Sequence, residues 1–249
     1  MSTLSDKTIL VVGASRGLGR AAATAFAAAG ADVVAVSRTP TDFSETPNGS
    51  GNIRSEIADA QDASAAATLL RHYNPHAVVL VAGAVPHMSP LLEQSWETFS
   101  VNWQTDVQIT FNWLREALRM PLAPGSRVIV VSSGAAIAGS PLSGGYAGAK
   151  ATQRFITGYA QREANGAGIG ITFTTVLPRF APETAVGKGA VAAYAAQANQ
   201  SVETYLDQLP FPPLTPEIAG DALVALAQAD PDTLAPEHLL NGAGLKALS

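Results

Sequence analysis

Tyr146 and Lys150 stand four residues apart in Tyr146-Ala147-Gly148-Ala149-Lys150, a spacing that puts both side chains on one face of a helix. A free phenol holds its proton until about pH 10, but an ammonium group beside it stabilises the phenolate and eases proton exchange near neutrality. Such a pair can give a proton to an oxygen that is gaining negative charge, as a carbonyl oxygen does when its carbon takes up a hydride. Ser133, just beyond the apolar run at 127–132, can donate a hydrogen bond to that same oxygen. Lys150 can also hold the ribose hydroxyls of a nicotinamide cofactor. A buried tyrosine or a surface i,i+4 pair would show the same spacing. The full constellation is more specific: a serine at a strand end, a glycine-rich return and a Tyr/Lys helix converge where open α/β sheets bind ligands.

A second constellation lies near the amino end. The run 9–12 leads into Gly13-Ala14-Ser15-Arg16-Gly17-Leu18-Gly19, and a helix is expected at once, over 20–29. Glycines let the backbone turn tightly and approach a pyrophosphate, while free N–H groups and the helix dipole favour its charge. Gly13, Ser15, Arg16, Gly17, Leu18 and Gly19 are therefore candidate cofactor contacts. A tight strand-to-helix turn with no ligand is the plainer reading. Ser15 also fits a G-x-S-x-G nucleophile elbow, but almost no sheet precedes it and His238, the histidine near the carboxyl end, falls inside a strand-like run. At the end of the second strand Ser37-Arg38 stands where an NAD binder usually carries an acid, and Asp32 begins that strand, at its wrong end. Arg38 and Arg16 can bind a 2′-phosphate, so NADP(H) is the expected cofactor, with NAD(H) left open; as surface arginines both would be unremarkable. Asp59, after the third strand, can accept a hydrogen bond from the adenine amino group or simply cap a turn.

These groups need a frame. Apolar strand-like runs at 9–12, 32–36, 53–57, 77–81, 127–132, 170–176 and 237–240 alternate with helical segments, the order of an α/β fold with a doubly wound parallel sheet. The connection 39–51, with two prolines and two glycines, reads as a loop. The 249 residues suit one domain, 1–249. The proline-rich stretch at about 178–213 reads as an excursion from the sheet, shaped like a lid over the substrate. With 47% hydrophobic and 14% charged residues the chain must fold around a core. Net charge −5 and the lack of a basic run argue against nucleic acid as a partner. No apolar stretch approaches a membrane span and the first residues do not read as a secretion signal, so no membrane partner and a cytoplasmic location are expected. Zero cysteines exclude disulfides, thiolate metal sites and a cysteine nucleophile. Pro75 interrupts the His72/His76 pair, so no metal site is expected.

The glycine motif, Asp59, Val101-Asn102, Ser132-Ser133, Tyr146-x-x-x-Lys150 and Pro178 together resemble the short-chain dehydrogenase/reductase family over nearly the whole chain. The resemblance implies an oxidoreductase that moves a hydride between nicotinamide and a ketone, aldehyde or secondary alcohol. It implies Ser133, Tyr146 and Lys150 as the catalytic trio, with Asn102 holding a helix distortion and a proton-relay water. Ala82, Gly83, Pro178 and Thr184 become cofactor contacts, and a homodimer or homotetramer is implied. His87, Ser143 and Arg179 are candidate substrate contacts: His87 otherwise reads as a plain loop histidine, and Arg179 as a substrate-anion ligand, a third phosphate contact or a surface arginine. The chain departs from the family pattern at Val12 (family Thr), at Leu80-Val81-Ala82-Gly83 (family Asn-Asn-Ala-Gly) and at Pro178-Arg179 (family Pro-Gly). The other reading is a catalytically idle NADP(H)-binding regulatory protein of the same fold.

Overall fold

Residues 4–44 and 51–248 are described by a computed structural model. Eight strands form one sheet: β1 (Thr8–Val12), β2 (Asp32–Ser37), β3 (Asn52–Ile57), β4 (Ala77–Leu80), β5 (Arg127–Val131), β6 (Thr172–Pro178), β7 (Glu237–Asn241) and β8 (Gly244–Leu248). Their order is β3-β2-β1-β4-β5-β6-β7-β8, parallel except for β8, which pairs antiparallel with β7. Alternation of side chains along a strand divides the core in two. Ile9 and Val11 point into one apolar cluster, and Leu10 and Val12 into the other. Both faces of the central strands are buried, which is why β1, β4 and β5 read as unbroken apolar runs.

Helices cover both faces: α1 (Gly17–Ala28), α2 (Ala63–Tyr73), α3 (Trp96–Asn102), α4 (Gln108–Arg119), α5 (Ala135–Ala138), α6 (Tyr146–Ala167), α7 (Ala185–Gln197), α8 (Val202–Asp207) and α9 (Pro216–Gln228). α1 and α9 cross closely on one face because their contact is built from small residues; a Cβ on Gly220 would lie 2.8 Å from Ala25 Cβ. Asp62 caps α2 by accepting the Ser64 N–H, and Thr215 caps α9 ahead of Pro216.

The expected doubly wound α/β sheet is present, and the structure refines the sequence reading at three points. The sheet has an antiparallel edge, because the chain turns at 242–243 and returns as β8. The sixth strand begins at Thr172, since Gly170 has a φ of +68°, outside strand geometry, and it runs on to Pro178. Helix α1 begins at Gly17, inside the glycine motif itself. The loop expected at 39–51 contains no helix or strand over 39–44, and 45–50 lie outside the described residues.

Candidate active site

The strand order reverses between β1 and β4, and a cavity of about 1390 Å³ opens there at the carboxyl ends of the strands. Its floor at one end is the glycine turn. Gly13 has a φ of +94°, and a Cβ there would lie 2.6 Å from the Ala82 backbone nitrogen, so only glycine lets the β1 and β4 loops meet. Gly17 has a φ of +52°, and a Cβ there would lie 3.5 Å from Thr184 Cγ2. No side chain caps α1 and no acidic residue stands in its first turn, so its leading amides have no charge competing with a bound anion. Thr184 caps α7, accepting the Gly187 N–H at 3.0 Å and donating to the Ala181 carbonyl at 2.8 Å. The turn thus fits a pyrophosphate, with Ser15, Arg16, Gly17, Leu18 and Thr184 around it. Gly19 does not line the cavity; a Cβ on it would strike the Gly13 carbonyl, so it serves the packing of the helix on the turn.

Arg16 and Arg38 are exposed and line the cavity. The Ser37 hydroxyl is already committed, donating to the Thr39 carbonyl at 2.6 Å. Asp32 lies at the opposite end of β2. Asp59 lines the cavity and accepts the Gln61 N–H at 3.0 Å, so the turn role and a place in the cavity coexist. Ala82, Gly83 and Pro178 also line it.

Ser133, Tyr146 and Lys150 line the other end of the same cavity. The Ser132 hydroxyl donates to the Lys150 carbonyl at 2.7 Å, tying the end of β5 to the first turn of α6. Ser133 Oγ accepts the Ala135 N–H at 3.2 Å and keeps its proton for another acceptor. Lys150 Nζ lies 5.4 Å from the centre of the Tyr146 ring. The lysine is buried, which by itself pushes its ammonium down, but the charge of Asp106 and the Tyr146 phenol act the other way and the net direction is up.

Asp106, which sequence reasoning missed, is 1% exposed and places Oδ2 3.0 Å from Lys150 Nζ. It belongs to a π-helical turn, Trp103–Val107, inserted between α3 and α4. Asn102 ends α3 beside this distortion; its Nδ2 donates to the Ala84 carbonyl at 2.9 Å and to Asp106 Oδ1 at 3.3 Å. It is a buried brace, neither a helix-surface residue nor part of the cavity wall. A helical-period reading could have found Asp106, because 102, 106, 109 and 113 form one buried stripe.

Two substrate candidates fall elsewhere. His87 is exposed on the loop after β4 and does not line the cavity; its carbonyl accepts from Gln94. Ser143 is buried, with its hydroxyl donating to the Ser140 carbonyl. Arg179 does line the cavity, lying 4.7 Å over the Phe211 ring. Phe180, Tyr194, Tyr205 and Phe211, mutually packed at 6.0–6.5 Å between ring centres, form an aromatic wall from the 178–213 excursion. No histidine lines the cavity, and His238 is buried on β7 against Thr174, so Ser15 has no triad partner there. Among the described residues no cluster of potential metal ligands occurs and no helix is long and apolar enough to cross a membrane.

Comparison with known proteins agrees with this geometry. L-xylulose reductase of Mesocricetus auratus is 29% identical over 129 residues, 52% of this chain and 53% of that protein. A 2,5-dichloro-2,5-cyclohexadiene-1,4-diol dehydrogenase of Sphingobium indicum is 30% identical over 158 residues, 60% of this chain and 63% of the other. The chain spans about half the length of the curated relatives it matches. Among solved structures, a short chain dehydrogenase from Burkholderia cenocepacia in complex with NADP superimposes with a TM-score of 0.72 at 20% identity, over 96% of this chain and 90% of that one. One from Mycobacterium avium gives 0.74 at 21%, over 99% and 86%. The family model for short chain dehydrogenases matches residues 7–194, which include the glycine turn, the π-helical brace and the Ser133–Tyr146–Lys150 centre, and this chain belongs to that family.

Proposed function

We propose that this chain reduces a ketone or aldehyde with NADPH, or runs the reverse oxidation of a secondary alcohol. The observation that carries the proposal is the opening of the Tyr146–Lys150–Ser133 centre and the uncapped α1 turn into one continuous cavity. When bound, the reduced nicotinamide supplies the hydride, two electrons with a proton, that adds to the carbonyl carbon. The C=O π pair moves to oxygen, where Ser133 donates a hydrogen bond and Tyr146 gives its hydroxyl proton, so that a C–H and an O–H bond replace the π bond. The phenolate left on Tyr146 is stabilised by the Lys150 ammonium. Arg16 and Arg38 support a 2′-phosphate and hence NADP(H), as does the NADP in the Burkholderia structure. The aromatic wall and Arg179 favour a small organic substrate, and no basic surface run invites nucleic acid.

One sheet carrying both ends of the cavity supports a single functional unit over 1–249. Trp103, Phe111, Phe155 and Tyr159 are exposed aromatics on the π-helical turn, α4 and α6, which supports a homodimer or homotetramer. Light scattering at the 25.6 kDa of one chain would contradict that assembly.

The test of function is a panel of ketones, aldehydes and ketoses, L-xylulose included, followed by loss of reduced-cofactor absorbance. Turnover with NADPH on at least one compound, reduced about 10²- to 10⁴-fold in Tyr146→Phe, is the expected result. Full turnover in Tyr146→Phe refutes the proton-donor assignment, and cofactor binding without turnover on any compound supports the idle regulatory reading instead.

A further inference from the structure

The carboxylate of Asp106 is held from every element around it. Its Oδ1 accepts the Ala84 N–H at 2.8 Å and a proton from Asn102 Nδ2, and its Oδ2 pairs with Lys150. Its own carbonyl accepts from Gln153 Nε2 at 3.1 Å and from Thr110 Oγ1 at 2.9 Å. A Cβ on Gly83 would lie 2.8 Å from it, so the loop after β4 runs directly against the carboxylate. Of the groups held against it, from the β4 loop, α3, α4 and α6, only Lys150 is ionisable, with Tyr146 next to that lysine. Asp59, Glu183 and the three arginines Arg16, Arg38 and Arg179 line other parts of the cavity.

This arrangement changes what Lys150 does for Tyr146. A lone buried ammonium would favour the phenolate strongly. An ammonium already paired with a carboxylate at 3.0 Å presents a field closer to that of a dipole, weaker at the phenol. We propose that Asp106 is a positioning residue that acts through Lys150: it fixes the ammonium and offsets part of the charge that the ammonium presents to the Tyr146 phenol. The inference rests on Tyr146 being the proton donor and goes beyond it by assigning the group that tunes the ammonium beside the phenol. Asp106 sits in the π-helical turn, one helical turn after Asn102 and on the same buried face.

The experiment uses Asp106→Asn, which keeps an oxygen for the Ala84 N–H and removes the charge. Near-ultraviolet phenolate absorbance is titrated in the protein without cofactor or substrate. The same titration of Tyr146→Phe, in both backgrounds, isolates the Tyr146 contribution. The Tyr146 band should appear at a pH lower by about one to two units in Asp106→Asn, the effect of removing one unit charge several ångström away at an effective dielectric near 20. An unmoved midpoint would overturn the proposal. So would a midpoint that rises, the result if the carboxylate served only to keep Lys150 charged. Should Asp106→Asn fail to fold, Asp106→Ser is read in the same way. Because no turnover is measured, failure of this titration is distinguishable from failure of the enzymatic reading. With a carbonyl substrate in hand, the pH limb of kcat/KM in Asp106→Asn should move in the same sense.

Discussion

Three glycines allow the packing of the cofactor turn to be tested against internal controls. Gly13, Gly125 and Gly158 would each receive a Cβ in a different setting. At Gly13 the φ of +94° and the 2.6 Å approach to Ala82 N act together. Gly125 shares the positive φ, +87°, but its Cβ would meet nothing within 4 Å. Gly158 lies within helix α6, again with nothing within 4 Å. A left-handed backbone costs a residue with a Cβ about 1–2 kcal/mol, and overpacking adds about 1–3 kcal/mol. Gly13→Ala should therefore lose about 2–5 kcal/mol and Gly125→Ala about 1–2 kcal/mol. Gly158→Ala should gain about 0.5–1 kcal/mol from helix propensity and a less flexible unfolded chain. At about 2–4 °C per kcal/mol for a chain of this size, melting points should move down by about 4–20 °C, down by about 2–8 °C and up by about 1–4 °C respectively. Calorimetry or circular dichroism at one protein concentration reads all three. If Gly13→Ala and Gly125→Ala melt together, the Ala82 contact carries no energy and the argument that glycine is required for the close approach of the two loops fails.

Arg38→Asp replaces a cation at the rim with a repelling charge, so NADPH affinity should fall about 100-fold or more, with NADH changing only a few-fold. Equal losses measured by fluorescence titration would remove Arg38 from the 2′-phosphate. Acid stability tests the buried histidines. Burial pushes His238 below the usual imidazole value of 6.5, and it does the same to His76, with Arg127 and Lys7 adding to it. The unfolded chain then binds protons that the folded chain refuses, so the stability these residues contribute is present above 6.5 and is lost as pH falls through that value toward their folded values. Melting temperature should drop between about pH 7 and pH 5, and less so in the double variant His76→Gln, His238→Gln; parallel curves would refute the assignment.

Most of the frame was legible because β1, β4, β5 and β6 each declared themselves twice, by an apolar run and by a helix or turn that follows it. The glycine turn and the Tyr146–Lys150 pair were legible because their spacing is local, within one turn or one helix face. Contacts that depend on tertiary approach were not. Ser143 stands in the glycine-rich return next to Tyr146, yet its hydroxyl turns back to Ser140. His87 follows the correct strand but faces solvent. β8 escaped because a five-residue edge strand after a glycine-rich turn has neither a following helix nor an apolar run. Asp106 escaped because a single aspartate in a helix reads as solvent-facing; its place on the buried stripe of 102, 109 and 113 was the available signal, while its partner lies on another helix, 44 positions away.

The charges lining the cavity show why recognition and chemistry can be separated in this chain. Arg16 and Arg38 are exposed at the end that fits phosphate, while Lys150 is buried at the reacting end and already paired with Asp106. In a protein of net charge −5, Arg16 and Arg38 thus stand at the rim, where an anionic cofactor would first meet them. The interior pair contributes little long-range attraction, because opposite charges 3.0 Å apart nearly cancel at a distance. Substitutions at Arg38 and at Asp106 touch no common partner, so their effects on binding and on the pH profile should add. A strong coupling between them would mean that the two ends respond to each other through the loop at Ala82, Gly83 and Ala84, the segment that touches both Gly13 and Asp106.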